Sequence, residues 1–338
     1  MKLIRLALIL GAALALTSCS NKYKNDTKLA MENGIPVAER YGQLQIIGTD
    51  LCNKDGQPVQ LRGMSSHGLQ WYGKYANEKV IGWLRDDWNC QIWRAAMYLS
   101  EGGYLGSRAI KTKVVSSVEA AIKLGVYVII DWHVLGTKDP MIHLEQAKEF
   151  FDEMSRKYGS YPNVLYEICN EPNSDKVTWK DNIKPYAEEV IKVIRANDPD
   201  NIIIVGTPNW SSEPQIAAED PIDGKNIMYT IHFYAGTHGK EQRNKVAKAL
   251  KLGAPVFCTE WGTTMASGDG GVFEKSTMEW MKFFEKNNIS WTNWAVNNKG
   301  EDSGILAYNK DRNGQGGWTE EDLSPDGKLL RKILRKEN

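Results

Sequence analysis

No sign of charge dominates this chain of 338 residues: Lys and Arg total 42, Asp and Glu total 42, and the formal net charge is zero. That removes the broad electrostatic case for a nucleic acid or an anionic membrane surface as partner. Long apolar runs are missing too, since Leu6 to Leu16 is too short to cross a bilayer as a helix. No G-x-G-x-x-G follows an early strand-like run, so the phosphate turn of a doubly wound nucleotide-binding sheet is absent. Cysteine is sparse: beyond Cys19, residues Cys52, Cys90, Cys169 and Cys258 contain no close-spaced pair. Three of them fall in apolar strand-like runs, where Cys behaves as a small buried hydrophobe, and all four are read as free thiols.

What is present in excess is aromatic. Twelve Trp and fourteen Tyr exceed the needs of a core. Most pack, but aromatic faces beyond that demand line sites for flat, apolar-faced ligands such as sugars.

The N-terminus reads as a processing segment. A basic start, Met1 to Arg5, precedes the short apolar run, which stops at LTSC, Leu16 to Cys19. Small residues before this Cys resemble the lipobox of bacterial lipoproteins, cut immediately before a Cys that is then acylated. The alternative is an ordinary secretory signal with an incidental Cys; either way the protein is exported. Residues 1–18 are thus expected to be signal peptide. Cys19 is expected to be the lipidated anchor, and 19–40 a polar, coil-like tether holding one catalytic domain, 41–338, clear of the membrane.

From Tyr41 onward one rhythm repeats. Strand-like runs occur at 60–64, 91–98, 127–133, 164–171, 201–206, 227–234, 255–262 and 290–296, with amphipathic segments such as 114–125 and 183–197 between most of them. Several runs are apolar nearly throughout, as parallel strands covered on both faces are. Eight such alternations over about 300 residues predict an α/β fold of the (β/α)8 TIM-barrel type. The stretch 43–59 predicts a hairpin through Asp55-Gly56 that caps the barrel's closed end.

Active sites of these barrels form at the C-terminal strand ends. Those ends carry Ser66-His67, Arg94 with Tyr98, Asp131 with His133, Asn170-Glu171, His232 with Tyr234, Glu260-Trp261, and Trp294. The members of each separated pair lie two or four residues apart and share a strand face. Asn170 and Glu171 are adjacent, so the strand must end or bulge for both to serve one site. A buried run has little reason to finish on a carboxylate unless that carboxylate has a task, and Glu260 is the plausible partner of Glu171. Two carboxyls in one polar-rimmed cleft, one protonated and one ionised near neutrality, are the apparatus of glycoside hydrolysis. A metal-dependent barrel hydrolase would show His-x-His after the first strand; here only His67 stands in SSHGL, and neither metal nor cofactor is expected. A non-catalytic sugar-binding lipoprotein could lose either carboxylate, yet both are kept.

The motifs LRGMSSHGLQWYG (61–73), IWRAAMY (92–98), VIIDWH (128–133), YEICNEPN (166–173), IHFYAGTHG (231–239) and TEWGT (259–263) resemble bacterial endoglucanases of glycoside hydrolase family 5, subfamily 2. The resemblance runs from about Tyr41 to Pro325. It implies a retaining endo-β-1,4-glucanase with Glu171 as general acid/base and Glu260 as nucleophile. Arg94 would keep the nucleophile ionised, Asn170 would hold the sugar 2-hydroxyl, and His133, His232 and Tyr234 would support the two carboxylates. The resemblance also implies that Trp294 floors the cleavage point behind a cis Trp294–Ala295 peptide. His67, Trp71, Tyr98, Lys299 and Glu301 would bind glucose units on the non-reducing side, and Trp210 one on the leaving-group side. Lys299 with Glu301 could instead be a solvated loop. His143 and His238 receive no role, and Cys169, where a small apolar residue is expected, would leave an oxidisable thiol near the site. A family relative acting on mannan or xylan is the alternative. The expected partner is a β-1,4-glucan chain bound by a monomer. With too few residues after about Asp326 for a carbohydrate-binding module, weak attack on crystalline cellulose is expected.

Overall fold

The structure is a computed structural model that describes residues 29–336. Cys19 and the signal segment lie outside the described residues. Eight parallel strands close into a barrel: β1 (Arg62–Ser66), β2 (Ile92–Tyr98), β3 (Tyr127–His133), β4 (Val164–Glu167), β5 (Ile203–Val205), β6 (Ile227–Tyr234), β7 (Val256–Gly262) and β8 (Trp291–Val296). Each pairs with its sequence neighbours, and β8 closes on β1. A helix follows every strand, running from Glu78–Trp88 after β1 to Pro325–Arg335 after β8. This is the (β/α)8 TIM barrel that the alternation predicts.

The strands carry their two faces at period two. On β2, Trp93, Ala95 and Met97 face outward into the large cluster beneath the helices, whereas Ile92 faces the barrel interior. The lower interior is a dry plug of Leu61, Ile92, Tyr127, Ile129, Leu165, Ile204, Met228 and Phe257. Crowding is tight enough that a Cβ on Gly63 would lie 1.8 Å from the Ile92 carbonyl oxygen, so β1 needs glycine there. The helices begin and end where local chemistry allows. Asn77 caps Glu78–Trp88 by accepting from the N–H groups of Lys79 and Val80, and left-handed Asn89 ends that helix. The helix Lys184–Asn197 buries Tyr186, Ala187, Val190, Ile191 and Ile194, the face its sequence predicts.

Three expectations change. The described part of the tether is built into the fold: Met31–Glu32 and Ile35–Pro36 form a small hairpin, and Val37–Tyr41 is a helix whose Val37 and Ala38 join the interior plug. Its few apolar residues suffice because they cover the barrel bottom. The capping hairpin exists, but its strands Gln45–Ile47 and Asp50–Cys52 turn at Gly48-Thr49. Asp55-Gly56 instead forms a second turn, in which the Asn53 side chain accepts from the N–H groups of Asp55 and Gln57. Finally β4 stops at Glu167, four residues early.

The last helix is docked by a buried carboxyl. Asp326 is fully buried and accepts from the Thr263 hydroxyl at 2.6 Å, and its other oxygen has no partner among the described residues. Burial pushes its pKa up to about 8. An unfolded Asp ionises at about 3.9. Between these values the folded chain holds a proton that the unfolded chain has released, so this group's contribution to stability is lost as pH rises from about 4 through about 8. Asp326→Asn removes that titration. Calorimetry should find the variant gaining melting temperature over the parent between pH 5 and pH 9. A margin independent of pH would show that Asp326 is not protonated in the fold.

Candidate active site

At the C-terminal end of the barrel a cleft of about 630 Å³ opens between the strand ends, and its lining includes the carboxylates of Glu171 and Glu260. Beneath it lies Arg94, fully buried on β2. Its Nε donates to Glu167 at 2.6 Å, Nη1 to Glu260 at 3.1 Å, and Nη2 to Asn170 Oδ1 at 2.6 Å, with Asp131 at 3.0 Å from Nη2. One guanidinium therefore organises three carboxyls from β3, β4 and β7.

Glu260 reaches this layer through a bulge. Between β6 and β7 the register passes from Thr230 opposite Phe257 to His232 opposite Glu260, so β7 carries one extra residue. Adjacent Thr259 and Glu260 thereby both serve the interior. Glu260 Oε1 accepts from the Tyr234 hydroxyl at 2.8 Å, while Oε2 faces Arg94. Burial would raise its pKa, but His232, Arg94 and the Tyr234 bond outweigh burial and hold it below the ordinary value.

Glu171 sits past the end of β4, its N–H donating to the Val134 carbonyl at 2.9 Å. The chain has left the strand before Asn170, which lets both neighbours serve one site. Glu171 Oε1 lies 2.8 Å from His232 Nδ1. Burial and the nearby Glu260 charge push its pKa up to about 7, against the opposing pull of His232 and Arg94. Two glutamates of one cleft are thus driven in opposite directions. One oxygen of each, with one His232 nitrogen, fall within 4.8 Å of one another. These atom types could suit a cation, but the His232 nitrogen facing Glu171 is already spent on that hydrogen bond.

The remaining residues singled out at the strand ends come together around the cleft. His133 Nδ1 is 2.6 Å from Asp131, and burial lowers the imidazole pKa to about 3, keeping it neutral. Its ring stacks on Tyr98 at 4.1 Å and Trp294 at 5.4 Å. His67 joins this aromatic group 5.0 Å from Trp294. The Trp294–Ala295 peptide is cis. Trp71 and Trp210, 47% and 49% exposed, also line the cleft. Trp210 is carried by a left-handed turn tied to the Pro172 carbonyl. Lys299 and Glu301 pair with each other on the cleft wall, Glu301 also accepting from Ser303. Cys19 alone among the expected site residues lies outside the described residues.

Asn170 is fully buried, with its amide nitrogen against the Val134 carbonyl and His133 Nε2 and its oxygen on Arg94, so it braces both residues. One expectation is modified. Cys169 points away from the cleft into the outer apolar cluster, where burial pushes its thiol well up and leaves it inert; Cys52, Cys90 and Cys258 are likewise free and buried.

Sequence reasoning missed Glu167 and Thr259, and noted Asp131 without giving it a place. Both were detectable, Glu167 two residues from inward-facing Leu165 and Thr259 two residues from inward-facing Phe257; the bulge is what brings Glu260 inward beside Thr259. His238, given no role, accepts the Tyr234 N–H at 2.9 Å and lines the cleft. His143 stays outside it. A second cavity, of about 720 Å³, lies at the closed end near Lys54, Asp200 and Lys225, away from these groups.

Residues 52–300 match the family model described as Cellulase (glycosyl hydrolase family 5). Endoglucanase A of Evansella cellulosilytica is 56% identical over 281 residues, covering 83% of this chain and 57% of that protein. An endoglucanase of Clostridium saccharobutylicum is 49% identical over 298 residues, covering 88% of this chain and 66% of its own length. The chain therefore spans 57–66% of the length of these two relatives. The solved catalytic domain of a Thermobifida fusca endoglucanase in complex with cellotetraose superposes with a TM-score of 0.84 at 39% identity, over 88% of this chain and 99% of that one. With a family model covering most of its length and relatives this similar, the chain belongs to glycosyl hydrolase family 5.

Proposed function

We propose that this protein is a retaining endo-β-1,4-glucanase acting through Glu171 and Glu260. The observation that carries the reading is the pair itself: carboxylate oxygens within 4.8 Å, one group pushed up to about 7 and the other held low. Inverting glycosidases keep their carboxyls about 6.5–9.5 Å apart to admit water, whereas retaining ones bring them to about 5–5.5 Å.

In the proposed mechanism Glu260, ionised and aligned by Arg94 and Tyr234, attacks the anomeric carbon. Glu171 gives its proton to the departing glycosidic oxygen. The ionised Glu171 then takes a proton from water, which attacks the glycosyl–Glu260 ester and releases a sugar of unchanged configuration. Trp294 floors the reacting sugar. Trp71 and Tyr98 with His67, Lys299 and Glu301 hold glucose units to one side, and Trp210 one to the other. A β-1,4-glucan is a flat ribbon with apolar faces, which suits such a cleft. The cellotetraose bound to the Thermobifida fusca relative supports that substrate class. We also propose export and anchoring through acylated Cys19.

Proton NMR of the first-formed sugar should show the β-anomer. Glu260→Ala should form no covalent intermediate with a fluorinated glycoside, whereas Glu171→Ala should form it from a substrate with a good leaving group and be rescued by azide. An α-anomer first, or azide rescue giving the same anomer in both variants, overturns the assignment.

Carboxymethyl cellulose should lose viscosity rapidly relative to reducing-sugar release, the sign of internal cleavage, and mannan and xylan should be cut more slowly. Faster turnover of either would move the substrate to that glycan.

For the anchor, cells fed a labelled fatty acid should incorporate it into the parent chain, and Cys19→Ala should abolish incorporation and release the protein from the membrane fraction. An unlabelled parent rules the anchor out.

A further inference from the structure

Two buried residues outside the proposed catalytic set, Glu167 and Thr259, connect the ends of the site. The Thr259 hydroxyl has three neighbours: Glu167 Oε1 at 2.6 Å, Thr230 Oγ1 at 2.6 Å and His232 Nε2 at 2.9 Å. A hydroxyl has one hydrogen to give and two lone pairs to offer. Glu167 bonds Arg94 through both oxygens, and despite its burial that guanidinium and His232 hold its pKa down to about 2, so it is ionised and can only accept. The Thr259 hydrogen therefore goes to Glu167. What remains toward Thr230 and His232 is lone pairs, and a lone pair facing His232 Nε2 at 2.9 Å requires a hydrogen on that nitrogen.

We propose that Glu167 and Thr259 are positioning residues that fix a hydrogen on Nε2 of His232, so that the exchangeable proton of the His232–Glu171 pair sits between Nδ1 and Oε1. The inference rests on the acid role given to Glu171 above and supplies the device that keeps the acid loaded. With Nε2 always protonated, the pair holds its transferable proton either as neutral His232 with protonated Glu171 or as charged His232 with ionised Glu171. Both states have the same proton count and titrate as one unit. The opposite tautomer, with hydrogen on Nδ1 and a bare Nε2, would instead donate to ionised Glu171 and stabilise the form that cannot act as acid. The bulge in β7 makes the arrangement possible by turning Thr259 and Glu260 inward together.

The pair's surroundings are fixed on all sides. Glu260 faces it from β7, Arg94 from β2, Asp131 and neutral His133 from β3, Glu167 from β4, and the hydroxyls of Tyr98 and Tyr234 from β2 and β6. None of these bonds His232 Nε2 within hydrogen-bond distance; Glu167 stands 3.8 Å from it. Control of that nitrogen passes through Thr259.

In Glu167→Gln the amide oxygen must stay on Arg94 Nε, which directs the amide N–H at Thr259. Thr259 then turns its hydrogen toward His232 and favours the bare Nε2. Thr259→Val removes the acceptor altogether, and Thr259→Ser restores it. With ring-15N-labelled histidine in the full chain, and His232 assigned from a His232→Gln spectrum, NMR above the alkaline limb should show the Nε2–H tautomer in the parent and in Thr259→Ser. Glu167→Gln and Thr259→Val should show Nδ1–H. On cello-oligosaccharides these two variants should move the alkaline limb of kcat/KM down by about one pH unit or more, a loss of about tenfold at pH 8. On dinitrophenyl cellobioside, whose leaving group needs no acid, the loss should stay under about threefold. Thr259→Ser should follow the parent. An Nδ1–H tautomer in the parent, an unmoved limb in folded Glu167→Gln, or equal losses on both substrates overturns the proposal. The parent spectrum decides the tautomer even where a variant does not fold. A parent that shows Nε2–H but cleaves no β-1,4-glucan fails the functional reading and leaves the tautomer assignment standing.

Discussion

Everything at the open end of this barrel depends on one fully buried guanidinium. Arg94 meets Asp131, Glu167 and Glu260 in a layer sealed below by the apolar plug, where an unpaired charge is prohibitively costly. Three carboxyls cannot all ionise around one cation in such a place. The structure resolves the conflict by unequal contact: Glu167 has two bonds to Arg94 and is held low, whereas burial with Glu167 and Glu260 nearby pushes Asp131 well up. Glu260 has one bond to Arg94 and one from Tyr234, enough to keep it ionised yet partly open to the cleft. Truncating one member of such a buried set typically costs about 3–5 kcal/mol, because the charge left behind has no replacement partner. Arg94 is therefore a folding constraint and a charge-setting device at once.

The contrast between the two cleft glutamates follows from where each chain segment leaves the barrel. Glu260 is still in β7 and reaches down to Arg94. Glu171 stands four residues past the end of β4, too high for a bond to Arg94, and finds only His232. Height above the guanidinium thus separates a group that stays charged from one that can hold a proton near neutrality. No difference in residue type is needed, only a strand that stops early and another that bulges.

Much of this was legible in the sequence, for identifiable reasons. The barrel could be read because eight short apolar runs alternate with amphipathic helices, and the parallel arrangement leaves the runs apolar on both faces. The site could be read because polar groups gather at one end of those runs in period-two pairs, such as Asp131 with His133 and His232 with Tyr234. What escaped reading depends on backbone events without a residue signature. The extra residue of β7 is invisible in VFCTEWG, so nothing there tells that Thr259, in step with inward-facing Phe257, and its neighbour Glu260 both face the interior. The early end of β4 hid the separate station of Glu167 within a run that seemed to continue to Glu171. The hairpin turn was misplaced because Asp55-Gly56 is the stronger local turn pair, while the actual reversal uses Gly48 at φ 64°. The segment before Tyr41 looked like tether because Val37 and Ala38 are too few to give a period, though they find an exposed barrel bottom to cover.

The same polar layer also sets the character of the surface on which a sugar would rest. His133 is stacked among Tyr98 and Trp294, and a charged imidazole there would present a cation to an apolar sugar face. Its charge is suppressed by burial and by Arg94 beneath it, while Asp131 takes the Nδ1 hydrogen and Asn170 supplies one to Nε2. With both nitrogens engaged, the ring cannot swing or switch tautomer without breaking a buried bond. Asn170 is bonded to Arg94 through its oxygen, so the orientation of the aromatic floor is tied to the group that orients Glu260. The ionised carboxylate and the neutral, rigid floor are two readings of one hydrogen-bond network, and a change made for either is transmitted to the other through Arg94.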